Sequence, residues 1–452
     1  MPVPLIDSLA TTEALADLFS DKSVLQAMLN FEIALAIVEA KLGVIPETAS
    51  KAIATAARIE GFNLAQLSRD ALRAGTPTIP FVKALTEIVR SKSETAAGFV
   101  HWGATSQDVS DTAVIVLLKR AQSLIDADLL RAMQALHALS EKHANTTMLA
   151  RTLLQPAPPI TFGLKAAGWY GAISRGRERL EQAFAEALAL QFGGASGTLA
   201  ALEDRGLAVA QALASELGLA CPDAPWHAHR DRLAALMCAC GVLAGSIGKI
   251  ARDISLLMQG EVGEAAEPAS PGRGGSSTMP HKRNPIGCAL CLAAATRAPG
   301  LVAIYLFSMS QEHERGMGGI QSEWSTIAAI VQATAMAASS IAEIAEGITV
   351  DTGRMRDNLN GTQGTVFAEK AMILLGGKIG RDKAHRLLEG ATRRAIAEAR
   401  PLPDILTEIP EITTHFDRAI LESIFVPEDY LGSSEVFRQR LLASSPPIGG
   451  KK

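Results

Sequence analysis

The sequence predicts an all-α fold built on long helices, and three observations carry that expectation. The chain of 452 residues is 48% hydrophobic but only 4% aromatic. Its core therefore has to be assembled from Ala, Leu, Ile and Val, a composition that favours closely packed helices. Apolar residues step by three and four over stretches longer than an ordinary helix. No proline interrupts the chain between Pro225 and Pro268. Across that interval Leu233, Leu236, Cys240, Leu243, Ile247, Ile250, Ile254 and Leu257 repeat the stepping. At 1.5 Å per residue such a helix is on the order of 45 Å long.

Taken in order, residues 1–97 read as a smaller helical unit. Leu25, Met28, Leu29, Ile33, Leu35, Ala36 and Val38 recur at helical spacing until Gly43 and Pro46 stop the helix. Gly75-Thr76-Pro77-Thr78-Ile79-Pro80 is expected to break the pattern before Phe81–Val89 resumes it, its prolines pre-setting a loop suited to lining a site. His101-Trp102-Gly103-Ala104-Thr105-Ser106-Gln107-Asp108 is a dense polar loop ahead of a long helix. The seam of that helix is Leu118, Ala121, Ile125, Leu129, Ala132, Leu136 and Leu139. Thr105 and Ser106 stand where they can cap it, or present hydroxyls and N–H groups to an anion. Capping accounts for one of them, and not for the His, Gln and Asp around them.

Arg151–Pro159 is expected as a stiff extended loop, followed by a helix to about Leu190, a glycine-rich break over Gly193–Gly197 and a short helix. After the proline-free helix come a loop over 268–285, a helix kinked at Pro299, and a polar break opened by Gln311-Glu312-His313-Glu314-Arg315 and closed by Ser322-Glu323-Trp324. An Ala/Ile helix then runs to about Gly347. The expected division is thus 1–97, a central long-helix bundle over 98–347, and a small helical domain over 348–452. Helices this long, with apolar seams on several faces, are not satisfied in a compact monomer. A bundle shared between subunits is the expected solution.

The formal net charge of −4 gives no electrostatic case for nucleic acid or an anionic membrane. Charges interrupt the apolar runs, so no membrane-spanning helix is expected. Five cysteines form an odd set with no secretory leader before them, which fits a reduced cytoplasm. Cys238/Cys240 and Cys288/Cys291 fall in apolar helical pattern without the matching ligand pairs of a zinc site, so no metal is expected. His227 and His229 read as polarity at a helix start.

The stretch Gly274-Gly275-Ser276-Ser277-Thr278-Met279-Pro280-His281-Lys282-Arg283-Asn284-Pro285 carries the chemistry. It offers flexible backbone, two Ser hydroxyls, free N–H groups and three side chains able to be cationic. Such a set can hold a polycarboxylate and steady negative charge growing on it. A solvated linker between helices has the same composition; the order of residues separates the two readings. G-S-S-x-M-P-x-K-x-N-P resembles the signature loop of the fumarase/aspartase superfamily. The His101–Asp108 loop, the Arg151–Pro159 segment and Gln311–Arg315 resemble its other polar segments, so the likeness spans most of the chain.

That resemblance implies a three-domain fold whose central helices tetramerise into a twenty-helix core, with each active site assembled from three subunits of a homotetramer. It implies Ser276 as the proton-transfer residue. Lys282 and Asn284 would bind substrate carboxylate, with Thr105, Ser106, Ser277 and Gln155 lining the pocket. His101 is the remaining imidazole near the site, orienting substrate or carrying the proton, or else a helix-start His bonded to backbone. Arg315 is placed for anion binding unless Glu312 and Glu314 pair with it. The implied chemistry is addition or elimination beside a carboxylate of a small polycarboxylate substrate, through an aci-carboxylate, with no metal or organic cofactor.

Within the superfamily the chain departs from the adenylosuccinate lyases. Thr76-Pro77-Thr78-Ile79-Pro80 replaces their Arg-His-Asp segment, and Leu153, Leu154 and Pro156 occupy a stretch that normally contributes a His. Their N-terminal Arg-Tyr-Ser is Ile6-Asp7-Ser8 here, and Trp324 stands where they tend to carry a phosphate-binding Arg. Expelling a leaving group needs an acid to protonate it, and the usual ones are missing. The resemblance therefore points to the muconate-cyclising branch, where an ionised carboxylate of the substrate itself is the nucleophile. A substrate bearing a sulfonate is the nearest variation, and a C–N lyase releasing fumarate is the alternative.

Overall fold

A computed structural model describes residues 4–269, 274–275, 279 and 282–443. Among them helix predominates, and strand is confined to two short two-stranded ribbons. Two compact units emerge: Met1–Leu129 with Arg175–Gly248 and Leu290–Ser340, and Leu130–Ser174 with Lys249–Ala289 and Ile341–Lys452.

In the first unit, Ser20 caps the Asp21–Lys41 helix by accepting from the Ser23 N–H at 3.3 Å. This helix buries Leu25, Met28, Leu29, Leu35 and Val38 as its stepping requires, and with them two acids, Glu32 and Glu39. The break at 75–80 is shorter than expected. Gly75 ends the Leu64–Ala74 helix in the left-handed conformation, and Thr78–Arg90 is already helical. Pro80 sits in its first turn, where a missing N–H costs no bond. The helix Gly319–Gly347 also starts early, so Ser322, Glu323 and Trp324 stand in its first turns rather than closing a loop.

Ser106–Lys142 and Asp231–Leu257 are the long helices expected, of 37 and 27 residues. Every named seam residue from Leu118 to Leu136 and from Leu233 to Leu257 is buried. Four helices, Asp21–Lys41, Asp231–Leu257, Ile286–Phe307 and Gly319–Gly347, are long and apolar enough to cross a membrane by length and composition, which the sequence reading had not allowed for. In three of them more than half of the most apolar window is buried within the chain; in Ile286–Phe307 only 22% is. That helix runs through Pro299 and leaves Ile304, Leu306 and Phe307 exposed.

In the second unit, the expected extended loop at 151–159 is an antiparallel hairpin, Thr147–Thr152 against Gln155–Thr161, with a bulge at Leu149/Ala150. Three prolines are tolerated because a two-stranded ribbon is all edge. Its two-residue tip is Leu153-Leu154, both at positive φ (51° and 65°) and 97% and 73% exposed. Leu149 reaches into the core of the C-terminal helices, among Phe367, Leu375, Leu388 and Leu402. Arg151 makes a two-pronged ion pair with the fully buried Glu264, at 2.9 and 2.7 Å, and the Asn358 amide donates to the same carboxylate.

Candidate active site

The first unit gathers one polar constellation around the start of the Ser106–Lys142 helix. Asp108, fully buried in the first turn, is its hub. Its carboxylate accepts from the N–H groups of Thr105, Gly193 and Gly194 at 3.0, 2.9 and 2.9 Å, and pairs with His227 Nε2 at 2.7 Å. The glycine-rich break and the His101–Asp108 loop are thereby tied to one helix end. Gly103 is required in that loop: φ is +68°, and a Cβ would stand 2.7 Å from the Leu202 side chain.

One turn on, Asp111 receives two bonds from Arg230, at 2.8 and 2.9 Å, and Arg230 turns its other edge to Glu323. All three side chains are buried. Gln311 and the Tyr305 hydroxyl donate to Glu323, whose carboxyl burial pushes above its usual range against the pull of Arg230. Gln107 is gripped from below by Asp111 and the His227 carbonyl, which turns its own amide oxygen toward Arg315.

Arg315 donates to Gln107 Oε1 at 3.0 Å, Thr105 Oγ1 at 3.3 Å and the Gly194 carbonyl at 3.3 Å. It pairs with neither Glu312 nor Glu314 among the described residues, so its charge rests on neutral acceptors. With Ser106, Gln107, Thr76, Pro77 and Trp324 it lines a cavity of about 450 Å³. An apolar cavity of about 390 Å³ shares Pro77 and Trp324 but has no Lys, Arg or His in its lining, so it does not suit a polyanion. His101 is off the wall of the polar cavity, four residues ahead of Thr105, with Nδ1 2.7 Å from Glu32 Oε1. It is therefore bonded to a carboxylate, not to backbone.

The other expected site residues belong to the second unit. Ser276 and Ser277 lie outside the described residues. The ends of their loop are joined: Gly275 and Arg283 form an antiparallel bridge, and the Asn284 N–H donates to the Gly274 carbonyl at 2.9 Å. Gly274 has φ +71°, and a Cβ there would meet the Asn284 carbonyl at 2.6 Å. Buried Glu267 accepts from the Gly287 and Cys288 N–H groups at 2.9 and 2.6 Å, anchoring the start of the next helix. Lys282 is exposed and Asn284 half-buried. Gln155 is exposed beside the hairpin tip, with no hydrogen bond to Lys282 or Asn284 among the described residues.

Asp111, Arg230, His227 and Glu323 were not singled out from sequence as site residues. Among the described residues no group of three or more His, Cys, Asp or Glu is arranged to hold a metal ion.

Residues 9–300 match the model of a lyase family, and residues 364–441 match that of the adenylosuccinate lyase C-terminus. The chain belongs to this lyase family. It is 48% identical to the 3-carboxy-cis,cis-muconate cycloisomerase of Bradyrhizobium diazoefficiens over 98% of both chains. To the enzyme of that name from Pseudomonas aeruginosa it is 45% identical, over 98% of this chain and 97% of the relative. Among solved structures, the 3-carboxy-cis,cis-muconate lactonizing enzyme from Pseudomonas putida matches with a TM-score of 0.92 at 44% identity, covering 97% of this chain and 98% of that one. The fumarase/aspartase-like fold and an enzymatic role follow for this member of the family.

Proposed function

We propose that the chain closes 3-carboxy-cis,cis-muconate to 4-carboxymuconolactone, in the protocatechuate branch of the β-ketoadipate pathway. The near-full-length likeness to enzymes of that name carries the reading. The cation of Arg315 on the wall of a polar cavity supplies its chemistry. A substrate carboxylate oxygen bonds to the far carbon of a double bond, and the displaced electron pair is held as an aci-carboxylate facing Arg315 and Lys282. Ser276 or His101 delivers a proton to the carbon beside that carboxylate. Thr105, Ser106, Ser277, Gln155 and Asn284 hold the substrate. One carboxylate becomes an ester, so each turnover at neutral pH takes one proton from solvent.

The enzyme works as a cytoplasmic homotetramer whose sites combine segments of three subunits. Two observations support an association of copies: the exposed apolar face of Ile286–Phe307, and the strained Leu153-Leu154 tip, which needs a surface to cover it. The separate match over residues 364–441 supports treating 348–452 as a module of its own, beside 1–97 and 98–347.

The test is to follow ultraviolet absorbance, mass and pH together with 3-carboxy-cis,cis-muconate. Loss of the diene band at unchanged mass, with one proton consumed per molecule, is the expected result; a persistent diene sinks the reading. A second reading, a C–N lyase, is favoured by the match to the adenylosuccinate lyase C-terminus. Fumarate release from adenylosuccinate or argininosuccinate would establish it, and turnover of 3-sulfomuconate alone would establish the sulfonate variant. Four times the 47.5 kDa chain mass, in detergent-free light scattering, is the expected assembly.

A further inference from the structure

The Asp21–Lys41 helix, which the mechanism does not use, carries a buried acid aimed at the site loop. Glu32 is 1% exposed, and its Oε1 lies 2.7 Å from Nδ1 of His101, a residue 69 positions away in sequence. The His101 backbone is held at φ +62°, a conformation that is uncommon and strained for a residue with a side chain. Two residues later Gly103 turns the chain again, and Thr105 is then pinned by Asp108 at its N–H and by Arg315 at its hydroxyl. The imidazole is thus held by Glu32, and the loop that carries it runs on to Thr105, whose hydroxyl accepts from Arg315. No hydrogen bond to His101 Nε2 is found among the described residues, and the side chain keeps 17% of its surface exposed.

We propose that Glu32 is a positioning residue for His101: it accepts the Nδ1 proton, fixes the ring plane, and leaves Nε2–H as the proton offered to a substrate that extends past the cavity wall to the ring. The proposal rests on the cycloisomerase reading above. In the step it serves, the substrate carboxylate oxygen forms its bond to carbon and the displaced π pair becomes the aci-carboxylate. That pair then takes the proton from Nε2, and the imidazole is reprotonated from solvent. The charged groups bearing on His101 are Glu32 from its own contact and Asp108 from the following helix. Burial opposes protonation of the ring, but these two carboxylates outweigh it and hold the imidazole above its ordinary pKa. Glu39, two helical turns beyond Glu32, is fully buried, and neither of its oxygens has a hydrogen-bond partner among the described residues, so Glu32 alone bonds the ring.

The test compares the full-length parent with Glu32→Gln, His101→Asn and the double variant, each checked for assembly by light scattering. Glu32→Gln keeps the shape and an acceptor but removes the charge. Its kcat is expected to fall about tenfold or more, with KM nearly unchanged. The alkaline limb of kcat/KM, which reports loss of the imidazolium proton, should move to lower pH, because one of the two carboxylates that raise the ring's pKa is gone. His101→Asn should abolish that limb, and adding Glu32→Gln to it should cost nothing further. A parent-like limb in Glu32→Gln, or losses that simply multiply in the double variant, would overturn the proposal. A substrate-free readout separates this from failure of the cycloisomerase reading. Nitrogen-15 histidine spectra, with the His101 signal assigned through His101→Asn, should show the neutral ring protonated on Nδ1 and its titration lowered in Glu32→Gln. Unchanged tautomer and titration would sink the role of Glu32 even if the muconate is turned over. A parent inert toward the muconate, yet showing both spectral changes, would sink only the reaction.

Discussion

Replacing Glu39 by Gln should stabilise the protein, and by an amount that grows with pH. Glu39 is 0% exposed, and its carboxylate oxygens have no hydrogen-bond partner among the described residues. Burial first, and the charge of Glu32 second, push its pKa from 4.5 up to about 9. In the unfolded chain it ionises near 4.5, so from there to about 9 the folded state must hold a proton that the unfolded state releases. Its stability is fully present below about pH 4.5, declines as pH rises, and reaches its floor above about pH 9. At pH 7 the linkage is worth about 3 kcal/mol per subunit. Gln has the same shape and does not ionise. Its unpaired amide resembles the unpaired carboxylic acid it replaces, so most of that difference should appear as gain. The assay is urea unfolding of parent and variant between pH 5 and 9.5 at one fixed subunit concentration, since assembly feeds into apparent stability. The two midpoints should nearly coincide at pH 5 and diverge steadily to pH 9. Parallel profiles, or a variant less stable than the parent at pH 8, would refute the reasoning.

Three further outcomes follow from the site. Ser276→Ala should leave the oligomer folded by circular dichroism and light scattering while lowering kcat by about 10²–10³-fold, because its hydroxyl steadies the aci-carboxylate that His101 protonates; full activity would remove Ser276 from the site. Arg315→Ala should lower kcat/KM by about a hundredfold, with more of the loss in kcat than in KM, because the cation matters most when the aci-carboxylate forms. Arg230→Leu strands Asp111 and Glu323 as unpaired buried charges, so it should cost about 3–5 kcal/mol, read as a large fall in thermal midpoint or as insoluble expression.

The helical frame was legible because its signal is periodic. A seam such as Leu118, Ala121, Ile125 and Leu129 must be buried on any reading, and each of these residues is fully enclosed. Boundaries were harder where a proline fell in a first turn, as at Pro80, or where a helix opened on glycine, as at Gly319. The hairpin at 147–161 was hidden by its own prolines, which argue against strand everywhere except at an edge. Around the polar cavity, Thr105, Ser106 and Arg315 stand in segments whose composition marks them in the sequence. The partners that hold them carry no such mark, since the pairing of Asp108 with His227, or of Arg230 with Glu323, joins positions far apart in the chain. One clue was available: Glu32 and Glu39 interrupt an apolar helical face seven residues apart, and a charge on such a face needs a reason.

The tied neck of the signature loop separates two mechanical duties, closing the loop and starting the next helix. Gly274–Gly275 and Arg283–Asn284 clasp each other, and Glu267 independently anchors the helix that follows. The two ends of the loop are therefore held at a fixed span. The helix behind them keeps its own anchor in Glu267, so a change between the two ends should leave its register where it is.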